Sequence, residues 1–226
     1  MSIQLNKNRI GNISSSNIHK IMGSKKPRET YLTELSYERR LGRSLSNETT
    51  SKPTSWGHLL EGIVFNQLGL EYSLVSDETI KHPDFDYWCG SPDGYTNDSV
   101  IDIKCPFTLK SFVELVEVDI QDIETFKYER PEYYWQLVSN SILLDKQFAE
   151  LIVYCPYEHD LGLIKHEAQN VDAQDLYKYY WLASATNEEI PYILPGEEFI
   201  DLNIFKFEVP QEDKDLLTET IKQIKL

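Results

Sequence analysis

Apolar residues recur at helical spacing through the first seventy positions and alternate with polar ones beyond Glu78. Ser14–Met22 (SSSNIHKIM) opens on good helix-capping residues and continues with Ile18, Ile21 and Met22, which predicts a short helix. Thr30–Leu41 and Trp56–Leu70 carry the same spacing, the second through Leu59, Leu60, Ile63, Val64 and Leu68. Between them Ser44–Thr54 is polar, ends in a proline-containing segment and reads as an exposed loop. Glu78–His82, Phe85–Cys89 and Ser99–Cys105 read as three short strands in a meander. Pro131–Leu144 predicts a helix with proline in its first turn. A strand pair at Ala149–Tyr154 and Gly162–His166, a helix over Asn170–Thr186, a strand at Phe199–Glu208 and a terminal helix over Pro210–Ile224 complete the pattern. Such an order predicts an α/β (α+β) fold, a central mixed β-sheet flanked by helices.

The 226 residues fit a single domain spanning 1–226, large enough to bury a substantial core. No run of eighteen apolar residues predicts a membrane span, and MSIQLNKNRI lacks the apolar stretch of a secretory signal, so the expected location is cytoplasmic. Cys89, Cys105 and Cys155 are odd in number and form no CxxC pair, which argues against a disulfide framework or a four-cysteine metal site. The five histidines show no metal-ligand spacing and are read as structural or surface residues. No GxxxxGK[ST] loop points to a nucleoside triphosphate.

Net charge is −15, yet it is segregated. Residues 1–43 hold nine Lys or Arg against three acids, a local +6, while the remainder carries −21. A separate basic segment is the footprint of a phosphate-binding surface, because lysine and arginine displace counterions from a polyanion. A solvated helix face gives the same composition, so charge alone leaves both readings open.

Candidate chemistry gathers in Gly90–Phe107, GSPDGYTNDSVIDIKCPF. In a strand, Asp102 and Lys104 share one face, and Ile101, Ile103 and Cys105 the other. An acid-x-lysine tripeptide carries little by itself: Glu212-Asp213-Lys214 repeats it at a predicted helix start, where a solvated charge cluster is expected. Upstream, Ser91-Pro92-Asp93-Gly94 has the composition of a turn, with glycine allowing an unusual backbone conformation. If the flanking strands pair as a hairpin, Asp93 approaches Asp102. Two such carboxylates repel unless a cation neutralises them, and a few oxygen donors supplemented by water suit magnesium or manganese.

Pro92-Asp93 followed by Asp102-Ile103-Lys104 resembles the PD-(D/E)xK nuclease core. The wider chain resembles the phage lambda exonuclease family, also called the YqaJ-like viral recombinase nucleases. Four blocks carry the likeness: RIGNISSSNIHKI from Arg9, SWGHLLEG from Ser55, SPDGYTNDSVIDIKCPF from Ser91 and YYWQLV from Tyr133, with VYCPYEHD also fitting. The resemblance implies a restriction-endonuclease-like core. It implies that Asp93, Asp102 and the Ile103 carbonyl hold Mg²⁺, with Mn²⁺ as substitute, and that Glu61 reaches the same cluster through water or a second ion. Lys104 would position or activate water, Gln136 would orient Lys104 and the nucleophile, and Arg9, Ser16 and Ser91 would take a terminal 5′ phosphate.

The activity so implied is a 5′ to 3′ double-stranded DNA exonuclease that releases 5′ mononucleotides and leaves 3′ single-stranded tails for phage recombination. Its implied partners are double-stranded DNA ends, two further copies in a homotrimeric ring and a single-strand annealing protein. Two departures stand out: Asp102 occupies a position where glutamate is common in the family, and no tyrosine follows closely after Gln136. Two alternatives share the scaffold, an endonuclease of the same superfamily and an inactive DNA- or protein-binding module.

Overall fold

The computed structural model describes residues 9–45, 51–69, 71–74 and 79–225. Leu70, Glu78 and loop residues 46–50, which figure in the expected elements, lie outside them. The chain begins with strand β1 (Ile13–Ser14), a single 3-10 turn over Ser15–Asn17, and helices α1 (Ile18–Met22), α2 (Lys25–Leu41) and α3 (Lys52–Gln67). The helix expected over Ser14–Met22 is therefore shorter, because Ser14 is drawn into a parallel pairing. Helix α3 begins within the expected loop: the Ser51 side chain accepts a hydrogen bond from the Thr54 N–H, and Pro53 occupies the first turn.

Five short strands follow, β2 (Ser73–Leu74), β3 (Ile80–Lys81), β4 (Trp88–Gly90), β5 (Gly94–Tyr95) and β6 (Ser99–Lys104). Helices α4 (Leu109–Glu114), α5 (Ile123–Glu129) and α6 (Pro131–Leu143) lead to strand β7 (Phe148–Tyr154). Helices α7 (Leu161–Gln169) and α8 (Tyr180–Ser184), strand β8 (Leu202–Glu208) and helix α9 (Gln211–Lys222) complete the order.

The strands form two mixed sheets, β1-β4-β3 and β2-β5-β6-β7-β8. In the larger one β6 and β7 run parallel, Asp102 opposite Leu151 and Lys104 opposite Val153, and the other pairs are antiparallel. The expected three-strand meander is divided between the sheets: β3 and β4 belong to the small one and β6 to the large one. The expected strand Gly162–His166 lies inside α7, whose Leu161, Ile164 and Ala168 are buried at helical spacing. The helix expected over Asn170–Thr186 contracts to a 3-10 turn and α8, because Asn170 ends α7 by donating its amide to the His166 carbonyl (2.8 Å).

Strands β6 and β7 are buried on both faces. Val100, Ala149, Leu151 and Val153 join a core with α6, while Ile101, Ile103, Ile152 and Tyr154 join a second one with α3 and α7. Each fully buried Ile or Leu contributes roughly 1.5–3 kcal/mol, so β6 is held firmly between the two layers. Asp102, 0 % exposed, lies within this packing rather than on a solvated ionic face.

A second charge cluster also differs from expectation. Asp213 at the start of α9 is buried, accepts a hydrogen bond from the Tyr134 hydroxyl and pairs with Lys127 (2.7 Å). Lys214 instead donates to the Lys146 carbonyl (2.6 Å). The tripeptide that reads as a solvated cluster is the anchor of the last helix.

Candidate active site

β6 is rich in β-branched residues, which favour a pleated, buried strand. At its C-terminal end, Asp102 Oδ1 accepts a hydrogen bond from Gln136 Nε2 on α6 (2.7 Å), and Asp102 Oδ2 lies 2.5 Å from Lys104 Nζ. Among the described residues, that buried Oδ2 has the lysine as a charge partner but no aligned hydrogen-bond donor.

Asp93 arrives by a different route from the one expected. The segment before it leaves the small sheet, and β5, not β4, forms the hairpin with β6. The Asp93 N–H donates to the Ile101 carbonyl (3.2 Å), and Asp93 Oδ2 accepts from the Ile103 N–H (2.6 Å). Gly94 does not supply a left-handed backbone here. It supplies space, since a Cβ at this position would come within 2.9 Å of the Phe65 ring and 3.0 Å of the Ser73 carbonyl oxygen. Gly90 serves the same purpose against Ser15 and Asn140.

The electrostatics record a surplus of negative charge. Burial, and then the neighbouring Asp102 carboxylate, push Asp93 up to about 8, although Lys104 and the Ile103 N–H oppose the rise. Burial also raises Glu61 on α3, with Asp102 adding to the shift and the charges of His58 and Lys104 opposing it. Burial acts against the Lys104 ammonium, but Asp102 and Asp93 outweigh it and hold the group above the ordinary lysine range.

Glu61 thus belongs electrostatically to the same cluster. Among the described residues, packing does not demand the glycines around it: nothing lies within 4 Å of a Cβ built at Gly62, and one at Gly57 would rest 3.9 Å from Glu61 Oε1. Two participants escaped the sequence reading. Tyr133 places its ring 5.1 Å from Lys104 Nζ, a cation–π contact, and His58 is a charge neighbour of Glu61. Tyr133 precedes Gln136 by three residues and so shares its helix face, a spacing visible in the sequence.

Among the described residues, no three His, Cys, Asp or Glu side chains are gathered tightly enough to hold a metal ion by themselves. The arrangement nevertheless fits a hard divalent cation with few protein donors. It offers two repelling carboxylates, one with an unaligned buried oxygen, beside the Ile103 backbone, and water can complete the coordination. The described cysteines are free thiols, and burial pushes Cys105, beside Lys104, well above its usual range, which favours the protonated thiol there.

The proposed phosphate residues are positioned by the small sheet, Ser91 two residues before Asp93. Strands β1 and β4 are parallel with Ser14 opposite Cys89, so the chain carries Ser16 and Ser91 away from the same end of the small sheet. Ser16 is exposed and its hydroxyl lies 3.3 Å from that of Ser14, while the Ser91 hydroxyl donates to Thr79 Oγ1 (3.4 Å). Arg9 is exposed and its charge favours the thiolate of Cys89, whose thiol burial nonetheless raises to about 11. Among the described residues, the hydrogen bonds of Ser16 and Ser91 run to Ser14 and Thr79 rather than to each other.

Comparison with known proteins places this geometry in context. The model of the YqaJ-like viral recombinase domain matches residues 5–143. The alkaline exonuclease LHK-Exo from Laribacter hongkongensis is similar in structure, with a TM-score of 0.60, 17% identity, and coverage of 96% of this chain and 90% of that one. LHK-Exo in complex with dAMP gives a TM-score of 0.61 at 16% identity, covering 96% and 87%. A phage-related exonuclease from Haemophilus somnus 129PT gives 0.57 at 14% identity, covering 93% and 90%. No curated protein matches.

Proposed function

The chain belongs to the family of YqaJ-like viral recombinase domains, and on that premise we propose that it is a Mg²⁺-dependent 5′ to 3′ exonuclease of double-stranded DNA. The observation that carries this reading is the convergence of Asp93, Asp102, Lys104 and Gln136 at one end of β6, with Glu61 in electrostatic reach. The similarity in fold to structures described as exonucleases supports it.

Asp93, Asp102 and the Ile103 carbonyl would hold Mg²⁺, or Mn²⁺ in its place, with Glu61 contributing through water or a second ion. When bound, the ion supplies positive charge that acidifies an attacking water and neutralises the departing 3′ oxygen. Gln136 fixes the orientation of Asp102, and the Tyr133 ring confines Lys104 on its other side. Lys104 then presents its ammonium to the scissile phosphate or the water, and in-line attack on phosphorus releases a 5′ mononucleotide. Arg9, Ser16 and Ser91 would take the terminal 5′ phosphate and set the register of cleavage.

The reading extends to a homotrimeric ring in which the basic N-terminal segment faces DNA, to transfer of the 3′ tail to a single-strand annealing protein in phage recombination, and to the host cytoplasm. Part of that basic segment already has internal work: Arg39 Nε donates to the Gly11 carbonyl (2.7 Å), and Arg28 donates to the Gly23 carbonyl (3.2 Å). Among the described residues, no helix is long and apolar enough to cross a membrane.

The test is a linear duplex labelled at one 5′ end, with and without a 5′ phosphate, incubated with Mg²⁺ beside a covalently closed circle. Labelled mononucleotide released from the phosphorylated linear DNA, and absent with Asp102→Ala, is the expected result. Cutting of the circle would establish an endonuclease, and no cleavage with either metal would leave a binding scaffold.

A further inference from the structure

The basic end of the chain also walls a cleft that the proposed catalysis does not use. It has a volume of about 660 Å³ and opens between α1, α2 and the start of α6. Its sides are largely apolar: Met22, Pro27, Tyr31, Pro131 and Trp135. Tyr31 and Trp135 are otherwise core residues, 6 % and 7 % exposed, so the cleft reaches the edge of the main core.

Around the mouth the character changes. Lys20, Lys26 and Thr30 line it; among the described lining residues Glu34 is the acid, and Glu132 lies close enough to act on the lining His19. Lys20 extends over the Tyr31 ring, 5.1 Å from its centroid, so an ammonium stands directly at the apolar wall. The sequence from Ser15 to Arg28 contains Lys20, Lys25, Lys26 and Arg28 and no acid. His19 also lines the cleft, and its Nδ1 is buried without a hydrogen-bond partner among the described residues.

Size and chemistry select among anionic partners. A volume of this order encloses a few side chains, within the usual 300–1,000 Å³ range of binding pockets. Duplex DNA is a stiff cylinder whose phosphates seek exposed, hydrated cations, and an apolar trough offers them nothing. A peptide with one bulky apolar side chain flanked by carboxylates satisfies wall and rim together, as grooves that take amphipathic segments do.

We propose that this cleft docks an acidic segment of a partner protein, which inserts a large apolar side chain between Tyr31 and Trp135 and sets carboxylates against Lys20 and Lys26. The inference goes beyond the nuclease reading and does not rest on it, since its readout is binding. The probe is a short fluorescein-labelled peptide of Asp and Glu residues around a central Phe-Leu pair. Two controls accompany it, one with Phe-Leu replaced by Ser-Ser and one with Lys in place of every acid.

Anisotropy should show saturable, micromolar binding of the acidic apolar peptide and at least about tenfold weaker binding of both controls. Thr30→Trp, which fills the cleft mouth without changing charge, and Lys20→Glu combined with Lys26→Glu should each weaken binding about tenfold with melting unchanged. Asp102→Ala, which abolishes cleavage, should bind the peptide as the parent does, which separates this site from the nuclease site. Absence of saturable binding, or equal binding of the controls, would overturn the proposal. So would displacement of the peptide by a phosphorylated oligothymidylate whose own binding Thr30→Trp abolishes, or a self-association that the same substitution abolishes. These last two results would assign the cleft to nucleic acid or to a second copy of the chain.

Discussion

Helix α6 serves two buried carboxylates at once, giving Gln136 to Asp102 and, from two residues earlier, Tyr134 to Asp213. Both acids are paired with a lysine, at 2.5 Å to Lys104 and 2.7 Å to Lys127. At Asp213 one acid meets one ammonium and one hydroxyl, and the account closes as a neutral anchor. At Asp102 the single ammonium faces Asp93 and Glu61 as well; burial raises both acids, and at Asp93 the Asp102 carboxylate adds to the rise. A buried ion pair by itself therefore says little about function; an imbalance of charge around it marks a place built to receive a cation.

The sharpest way to break this comparison is to neutralise each acid in turn. Asp102→Asn should lower DNA cleavage by about three orders of magnitude or more, as loss of a metal-holding carboxylate does. Its stability should change little, because the same substitution relieves Asp93. Asp213→Asn should leave cleavage intact at low temperature and cost about 2–3 kcal/mol in urea unfolding, because Lys127 loses its buried partner. Equal stability losses in the two variants would erase the distinction.

Asp93→Asn gives an effect of opposite sign. The folded protein holds Asp93 up to about 8, above its unfolded value, so its favourable contribution is present at acid pH and lost as pH rises through that value. In chelator, Asp93→Asn should be about 1–2 kcal/mol more stable than the parent at pH 9, with the difference shrinking steadily below pH 8 and gone only below about pH 4. Added Mg²⁺ should raise the melting temperature of the parent and not that of the variant. The smallest expected effect is at Tyr133: replacing the ring with Leu should slow cleavage about fivefold, as loss of one cation–π contact implies, and Tyr133→Phe should retain nearly full rate.

Much of this was legible from the sequence. The alternation in β6 fixes the shared direction of Asp102 and Lys104, and the proline-led pattern of α6 locates Gln136. The parts that were not legible depend on partners far along the chain. Asp213 finds Lys127 from 86 residues away, and nothing local to Glu212-Asp213-Lys214 distinguishes a buried anchor from a wet helix end. Strand β5 is only two residues long, too short for any period to show, so the wrong strand was expected to bring in Asp93. Gly162–His166 was misread for a related reason: a five-residue window of apolar character fits either period, and only Leu161 and Ala168, outside it, reveal the helix.

The anchor at Asp213 has a consequence for the order in which the protein is made. Translation delivers residues in sequence, and α6 emerges long before α9. Until residue 213 has cleared the ribosome, Lys127 and Tyr134 have no carboxylate to close on, and β7 lacks β8 along its outer side. Gln136 rides on the same helix as Tyr134, so the seat of Asp102 becomes final only after residue 213 is out. A nascent chain thus carries every residue of the candidate site well before it carries the site itself.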